Sequence, residues 1–423
     1  MLAEAAISAA NPIRELAERA KRASRRLASL DRGPKDAALT AIAARLRAEV
    51  GAIGEANARD VEAARAAGLD AAMIDRLGMG PKVVEGTATG VEFIASLADP
   101  VGSRSQMRRL KNGLLAGKER LPLGVIAMIY EARPNVTVDA AALCLKAGNA
   151  VLLRGGKEAA HTNARLGELI RSALTGAGLP ADAVQIVPPG GRDEIRELLS
   201  LSDLIDLAIP RGGEGLIRFV AENARVPVVK HYQGVCHLFL DRGADAAMAL
   251  ALALNGKQRP AVCNALECVL VDQEDAARLL PDLGRALLQN GIELRGCPRT
   301  LELVPGAKAA ADDDYGREFL AKILAVRVVR DLDAALEHVA RYGSNHTEAI
   351  CTPSYANAQR WLREVDASCV LVNASTRFND GGELGLGAEI GISTSKLHAY
   401  GPMGLESLTT EKWVVFGEGQ IRA

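Results

Sequence analysis

The chain has 423 residues, 48% hydrophobic and 24% charged, with 51 basic against 52 acidic side chains. A net charge of -1 and an aromatic content of 3% argue against a nucleic-acid partner or a membrane surface. No apolar run approaches the roughly 18 residues of a membrane span, and Glu4 with no basic stretch before an apolar block speaks against a signal peptide.

At roughly 150 residues per domain, this length predicts two to three domains with a large core. The seven cysteines, Cys144, Cys236, Cys263, Cys268, Cys297, Cys351 and Cys369, are odd in number and scattered. No CxxC pair or zinc spacing occurs, so no metal site is expected and the thiols read as free, in a reducing cytoplasmic compartment.

The first hundred residues read as helices. In Lys35–Val50, Leu39, Ile42, Leu46 and Val50 recur at helical spacing. The basic stretch 104–123, around Asn112-Gly113, reads as a hairpin. Strands are then expected at Gly124–Ile129, Ala150–Leu153, Val184–Val187 and Leu204–Ile209, with helices at Val138–Lys146 and Glu158–Ala177. A second alternation places strands near His237–Asp241, Leu266–Asp272, Ala325–Arg330, Ala349–Cys351 and Cys369–Asn373. The Gly-rich tail from Asn379 ends in a strand at Lys412–Phe416. Alternating strands and helices imply an α/β protein with doubly wound, mostly parallel sheets, which bind ligands at their C-terminal strand ends. The GxGxxG fingerprint is absent.

Four segments could carry chemistry. Glu131-Ala-Arg133-Pro134-Asn135 follows a strand; Asn135 is either a neutral oxyanion donor or the N-cap of the next helix. Arg154-Gly155-Gly156-Lys157 ends a strand in two cations and a Gly pair, either a phosphate grip or a solvated turn. Arg211-Gly212-Gly213-Glu214 opens a helix, either an anion site of free N–H groups or an ordinary turn. In Lys257-Gln-Arg259-Pro-Ala-Val-Cys263-Asn264-Ala-Leu-Glu267, Cys263 lies in a polar loop near cations, a setting that activates a thiol; inert burial is the alternative. His231 and His237 come into question as its bases, which would suggest a thiol hydrolase, although histidines near strand ends are commonly structural.

Together the segments resemble the aldehyde dehydrogenase superfamily, and within it the γ-glutamyl phosphate reductase family. Five blocks carry the resemblance, in the family's order: Tyr130–Thr137, Lys146–Lys157, Arg259–Glu267, Arg341–Glu348 and Glu389–Lys396 running on to Gly404. The resemblance implies an aldehyde dehydrogenase-like fold, with a cofactor-binding domain (1–103, 124–227 and 356–386) and a catalytic domain (228–355). It also implies oligomerisation elements (104–123 and 387–423).

By the same resemblance Cys263 is the nucleophile and Asn135 the oxyanion donor, although Pro134 precedes it where the superfamily has Trp. Arg154 matches the basic residue ending the cofactor strand, and Glu318, followed by Phe319, the glutamate that holds the nicotinamide ribose. Gly212 and Gly213 join them in the expected cofactor site. Lys157 stands where NAD-preferring relatives often have a glutamate, which favours the 2′-phosphate of NADPH/NADP. The stretch His231-Tyr-Gln-Gly234 lacks the carboxylate that activates water in hydrolytic relatives, which fits exchange with phosphate.

The implied activity is reduction of L-glutamyl 5-phosphate to L-glutamate 5-semialdehyde with release of phosphate, the second step of proline synthesis from glutamate. Arg133, Arg259, Arg377 and Lys396 are candidates for the substrate carboxylate and the phosphate. A homodimer or dimer of dimers is implied, with room for functional coupling to glutamate 5-kinase. Two alternatives stay open: a hydrolytic or CoA-acylating aldehyde dehydrogenase, and a non-catalytic nucleotide-binding protein on the same fold.

Overall fold

The computed structural model describes residues 12–422; the reading of the chain start at Glu4 lies outside them. The described chain divides into two compact units. The first holds the chain up to Lys230, Leu386–Gly391 and the chain from Met403 onward; the second holds His231–Gly385 and Ile392–Pro402. No helix among the described residues is long and apolar enough to cross a membrane.

The first unit begins with helices. In Arg32–Ala48 the buried face is Lys35, Ala38, Leu39, Ile42, Ala43 and Leu46, as the spacing predicts. Val50 does not extend that face, because Glu49 leaves helical geometry and Val50 opens the next helix, Val50–Ala66.

A four-stranded parallel sheet follows, in the order Val184–Ile186, Ala150–Arg154, Val125–Tyr130, Leu207–Arg211. All six residues of Val125–Tyr130 are buried, which explains an unbroken apolar run where a half-exposed strand would alternate. The last strand starts later than the apolar pattern suggests, since the N–H groups of Leu204 and Ile205 close a turn onto Leu201. Gly124 takes φ +130, and a β-carbon there would collide with the Asp206 carboxylate that accepts from the Val125 N–H.

The expected hairpin is present as Arg104–Arg109 and Leu115–Pro122. Thr409–Phe416 pairs antiparallel along Leu115–Pro122, so hairpin and tail form one three-stranded sheet within the first unit. Its outer strand leaves Trp413, Val415 and Phe416 about half exposed.

The second unit is built on seven strands, in the order Lys308–Ala309, Glu293–Gly296, Ile323–Val329, Leu266–Asp272, Cys236–Leu240, Thr347–Cys351, Cys369–Val372. Every pairing is parallel. Leu266–Asp272, at the centre, is buried throughout.

This sheet corrects the expected domain division. Cys369–Val372 lies beside Thr347–Cys351, so residues 356–385 belong to the second unit and not to the 125–211 sheet. Glu293–Gly296 escapes the apolar pattern because its charges are paired locally: Glu293 with Arg295 at 3.0 Å and Lys308 at 2.6 Å, and Arg295 with Asp314 at 2.7 Å.

Candidate active site

In the second unit Cys263 occupies the turn between helix Ala246–Lys257 and strand Leu266–Asp272. It is half-buried, whereas Cys144, Cys236, Cys268 and Cys351 are fully buried. Burial pushes the thiols of Cys144 and Cys236 far up, and those of Cys351 and Cys369 to about 11, so these four resist ionisation.

The Cys263 backbone is held from several sides. A β-carbon on Gly234 would collide with the Cys263 carbonyl, so only glycine lets the 231–234 stretch run this close. The Cys236 thiol donates to the same carbonyl at 3.3 Å. The Asn264 amide donates to the carbonyls of Asn379 at 3.0 Å and Arg377 at 3.3 Å, and its oxygen accepts from the Arg377 guanidinium. Asn264, Gly234 and Asn379 are thus positioning residues; of the three, sequence reasoning singled out only the Asn264 flank.

Arg377 is therefore engaged with Asn264, and exposed Lys396 is paired with Asp366 at 2.7 Å. Each therefore has a partner within the chain that a substrate anion would have to share or displace. Arg259 is exposed and makes no hydrogen bond or ion pair with a described residue. Glu318 is half-buried in the turn before strand Ile323–Val329, next to Phe319, whose ring lies 5.2 Å from the Arg295 guanidinium.

His237 belongs to a different cluster. Its Nδ1 lies 2.9 Å from Glu348 Oε2; burial opposes its charge, but Glu348 outweighs that and raises it to about 10. His338 beside it is pushed down to about 2 by burial and nearby cations, so it is neutral. Arg327, which can only donate, lies 3.2 Å from His338 Nδ1. The ring proton therefore sits on Nε2, 3.8 Å from the Cys268 sulfur. His237, Cys268 and His338 are a hydrogen-bonded core group, and the ring nitrogen of His338 that faces Cys268 has no free lone pair. His231 lies 5.9 Å from His346, ring to ring.

In the first unit Asn135 is the first residue of helix Asn135–Lys146, with Pro134 at the cap position, so it is not the N-cap. Its Nδ2 donates to Asp139 Oδ2 at 3.0 Å, which fixes the amide and leaves one N–H hydrogen for another acceptor. Burial raises the Asp139 carboxyl to about 6, against the pull of Asn135 and Arg211. Asp139 is a positioning residue missed in the sequence, although the i,i+4 spacing of Asn and Asp is the signal for it. Arg133 is exposed, and Ala132 before it takes φ 41, a strained value for a residue with a β-carbon.

Arg154 ends its strand nearly buried, with its guanidinium donating to the carbonyls of Gly155 and Gly190 and its Nε unpartnered. Burial lowers its pKa, while Glu158, Glu194 and Glu131 work the other way. Lys157 is exposed, and its side chain makes no hydrogen bond or ion pair with a described residue.

Gly213 caps helix Glu214–Asn223, but its N–H already donates to Glu131 Oε2 at 2.9 Å. The expected open anion site at Gly212-Gly213 is thus filled by the chain's own carboxylate. In the same way the Ala132 N–H donates to Glu158 Oε1 at 2.7 Å.

The aldehyde dehydrogenase family model matches residues 1–291. A γ-glutamyl phosphate reductase of Sorangium cellulosum is 66% identical over 416 residues, covering 97% of this chain and 97% of the relative. One of an Anaeromyxobacter species is 59% identical, with the same coverage. The crystal structure of γ-glutamyl phosphate reductase from Thermotoga maritima superposes with TM-score 0.96 at 41% identity, over 98% of this chain and all of that one. An acetylating aldehyde dehydrogenase of Geobacillus thermoglucosidasius, 18% identical with TM-score 0.65, shares the fold. The chain belongs to the aldehyde dehydrogenase family, a family of oxidoreductases.

Proposed function

We propose that this chain reduces L-glutamyl 5-phosphate to L-glutamate 5-semialdehyde with NADPH, through a thioester on Cys263, as the second step of proline synthesis from glutamate. The names of relatives 55% to 66% identical over nearly the whole chain support the substrate. One observation carries the chemistry. The stretch against the Cys263 carbonyl, where hydrolytic relatives keep a water-activating glutamate, is His231-Tyr232-Gln233-Gly234 and offers no carboxylate.

In this mechanism the Cys263 sulfur attacks the acyl carbon, and the C–O bond to phosphate breaks with its electron pair leaving on phosphate. The Asn135 N–H not given to Asp139 is the donor assigned to the developing oxyanion, a role that rests on its motif. Arg259, uncommitted and four positions before the thiol, suits the leaving phosphate. When bound, NADPH supplies the hydride that reduces the thioester carbonyl. The resulting hemithioacetal then releases aldehyde, and the sulfur recovers a proton.

The residues of the first unit fit a phosphorylated nucleotide. At Gly156 the carboxylate tip of Glu158 lies against the bare backbone of the strand end and would have to turn away for a bound phosphate. Lys157 stands beside it as an exposed cation for a 2′-phosphate. Use of Gly212 and Gly213 requires Glu131 to turn away from the Gly213 N–H. Glu318 is the residue for the nicotinamide ribose. The 104–109, 115–122 and 409–416 sheet, with its exposed Trp413, Val415 and Phe416, suits the face of a homodimer or dimer of dimers.

The test is oxidation of L-glutamate 5-semialdehyde by the purified protein. Turnover that needs phosphate and prefers NADP to NAD is expected. Phosphate-independent turnover yielding glutamate would replace the reading with a hydrolytic dehydrogenase.

A further inference from the structure

The turn that carries Cys263 is bracketed by a buried ion pair. Lys257 ends the helix before it, Glu267 lies in the strand after it, and Lys257 Nζ meets Glu267 Oε2. Their exposures are 0% and 1%. Burial pushes the Glu267 carboxyl up and the Lys257 ammonium down, and each partner opposes the other's shift. A buried pair of this kind is commonly no more stabilising than apolar residues of the same size. Fold stability alone therefore gives little reason for it.

The same carboxylate faces a second turn. The backbone N–H groups of Phe319 and Leu320 favour the charged form of Glu267, while Oε2 meets Lys257 and Oε1 has no hydrogen-bond partner among the described residues. Lys257 Nζ lies 5.9 Å from the Phe319 ring centre and feels the charge of Glu318. Leu320 holds φ 51, a strained value, while its side chain is 51% exposed. Packing of the Leu320 side chain does not explain that strain, whereas the carboxylate behind the turn gives it a use.

We infer that Glu267, with Lys257 as its counter-ion, is a positioning residue that ties the Cys263 turn to the Glu318–Phe319 turn. The thiol and the glutamate assigned to the cofactor ribose then take their places from one buried carboxylate. The significance of the two turns rests on the function proposed above; the tie between them rests on the buried Lys257–Glu267 pair and on the approach of Lys257 Nζ to the Phe319 ring.

Two variants of the full chain test it. Glu267→Gln keeps the shape and removes the charge. The double variant Lys257→Met/Glu267→Leu replaces the pair with apolar residues and is expected to keep its thermal midpoint near that of the unmodified protein. Two readouts need no turnover: the iodoacetamide alkylation rate of Cys263 in cofactor-free protein, and the Kd for NADPH. Both variants are expected to change each readout by about ten-fold or more, because neither turn is then held in one place. A double variant with an intact midpoint and both readouts within about two-fold of the unmodified protein makes the pair merely structural and overturns the inference. A change at only one turn overturns it as well. If the double variant fails to fold, Glu267→Gln decides alone. If the unmodified protein does not turn over the semialdehyde, the proposed function fails, while the alkylation rate still reads the hold on the Cys263 turn.

Discussion

Gly234 and Gly212 both lack room for a β-carbon, but what fills the space differs. At Gly234 the obstacle is the carbonyl of Cys263, part of a backbone further fixed by the Cys236 thiol and the Asn264 amide. At Gly212 the obstacles are two side-chain tips, the Leu216 methyl and the carboxylate of Glu131, an exposed side chain resting on the Gly213 N–H. A second carboxylate, that of Glu158, likewise accepts from the Ala132 N–H. The thiol turn is thus fixed by backbone and short amides, while the turns proposed for the cofactor carry exchangeable internal anions. A group that forms a covalent bond gains from atoms that cannot move. A surface that takes up and releases a phosphorylated ligand gains from anions of its own that step aside.

The contrast can be attacked by substitution. Cys263→Ser carries the largest expected effect, a loss of turnover of about 10³-fold or more with NADPH binding retained, measured by NADP reduction and by titration. Asn135→Ala removes one oxyanion donor and is expected to lower kcat by about 10²–10³-fold, again without loss of cofactor binding. Unchanged turnover would remove Asn135 from the mechanism.

The glycines test the comparison itself. Gly234→Ala is expected to cost about 10²-fold in kcat, since its β-carbon meets backbone beside the thiol. Gly212→Ala is expected to stay within about three-fold, because the carboxylate tip of Glu131 and the methyl tip of Leu216 can both rotate away. Equal losses would erase the distinction. Lys157→Glu is expected to raise the KM for NADP about ten-fold and to leave that for NAD little changed. A parallel change in both would deny Lys157 the 2′-phosphate.

The smallest effect concerns stability. The Asp139 carboxyl is raised to about 6, above its ordinary value of 3.8. The folded state therefore favours the protonated form, and the cost of burying the charge appears as pH rises from about 4 through 6. Asp139→Asn removes that cost and is expected to gain up to about 3 kcal/mol on the unmodified protein above pH 7, with the gap closing below pH 4. Thermal midpoints across pH read this directly; a pH-independent gap would contradict it.

Continuous apolar runs made the sheets legible: Leu266–Asp272 appears with the bounds its sequence suggests, and Val125–Tyr130 within a residue. Glu293–Gly296 was hidden because its charges neutralise one another within the sheet. The placement of 356–385 was hidden for a different reason, since a parallel partner leaves no mark in the local pattern. At the site, Cys263 stood out by its Pro and Asn flanks and by its family block. Contacts distant in sequence, such as Glu131 on Gly213, 82 positions apart, could not be read from one chain. That contact is what turned an expected open anion site into an occupied one.

In the proposed mechanism a fixed Cys263 thiol passes its acyl group to phosphate and not to water. The most direct measurement is NADPH formation on rapid mixing of the protein with L-glutamate 5-semialdehyde and NADP in the absence of phosphate. A burst of no more than one NADPH per chain is predicted, stopping until phosphate is added and absent in Cys263→Ser. Steady NADPH formation without phosphate, or a burst that survives Cys263→Ser, would contradict the account.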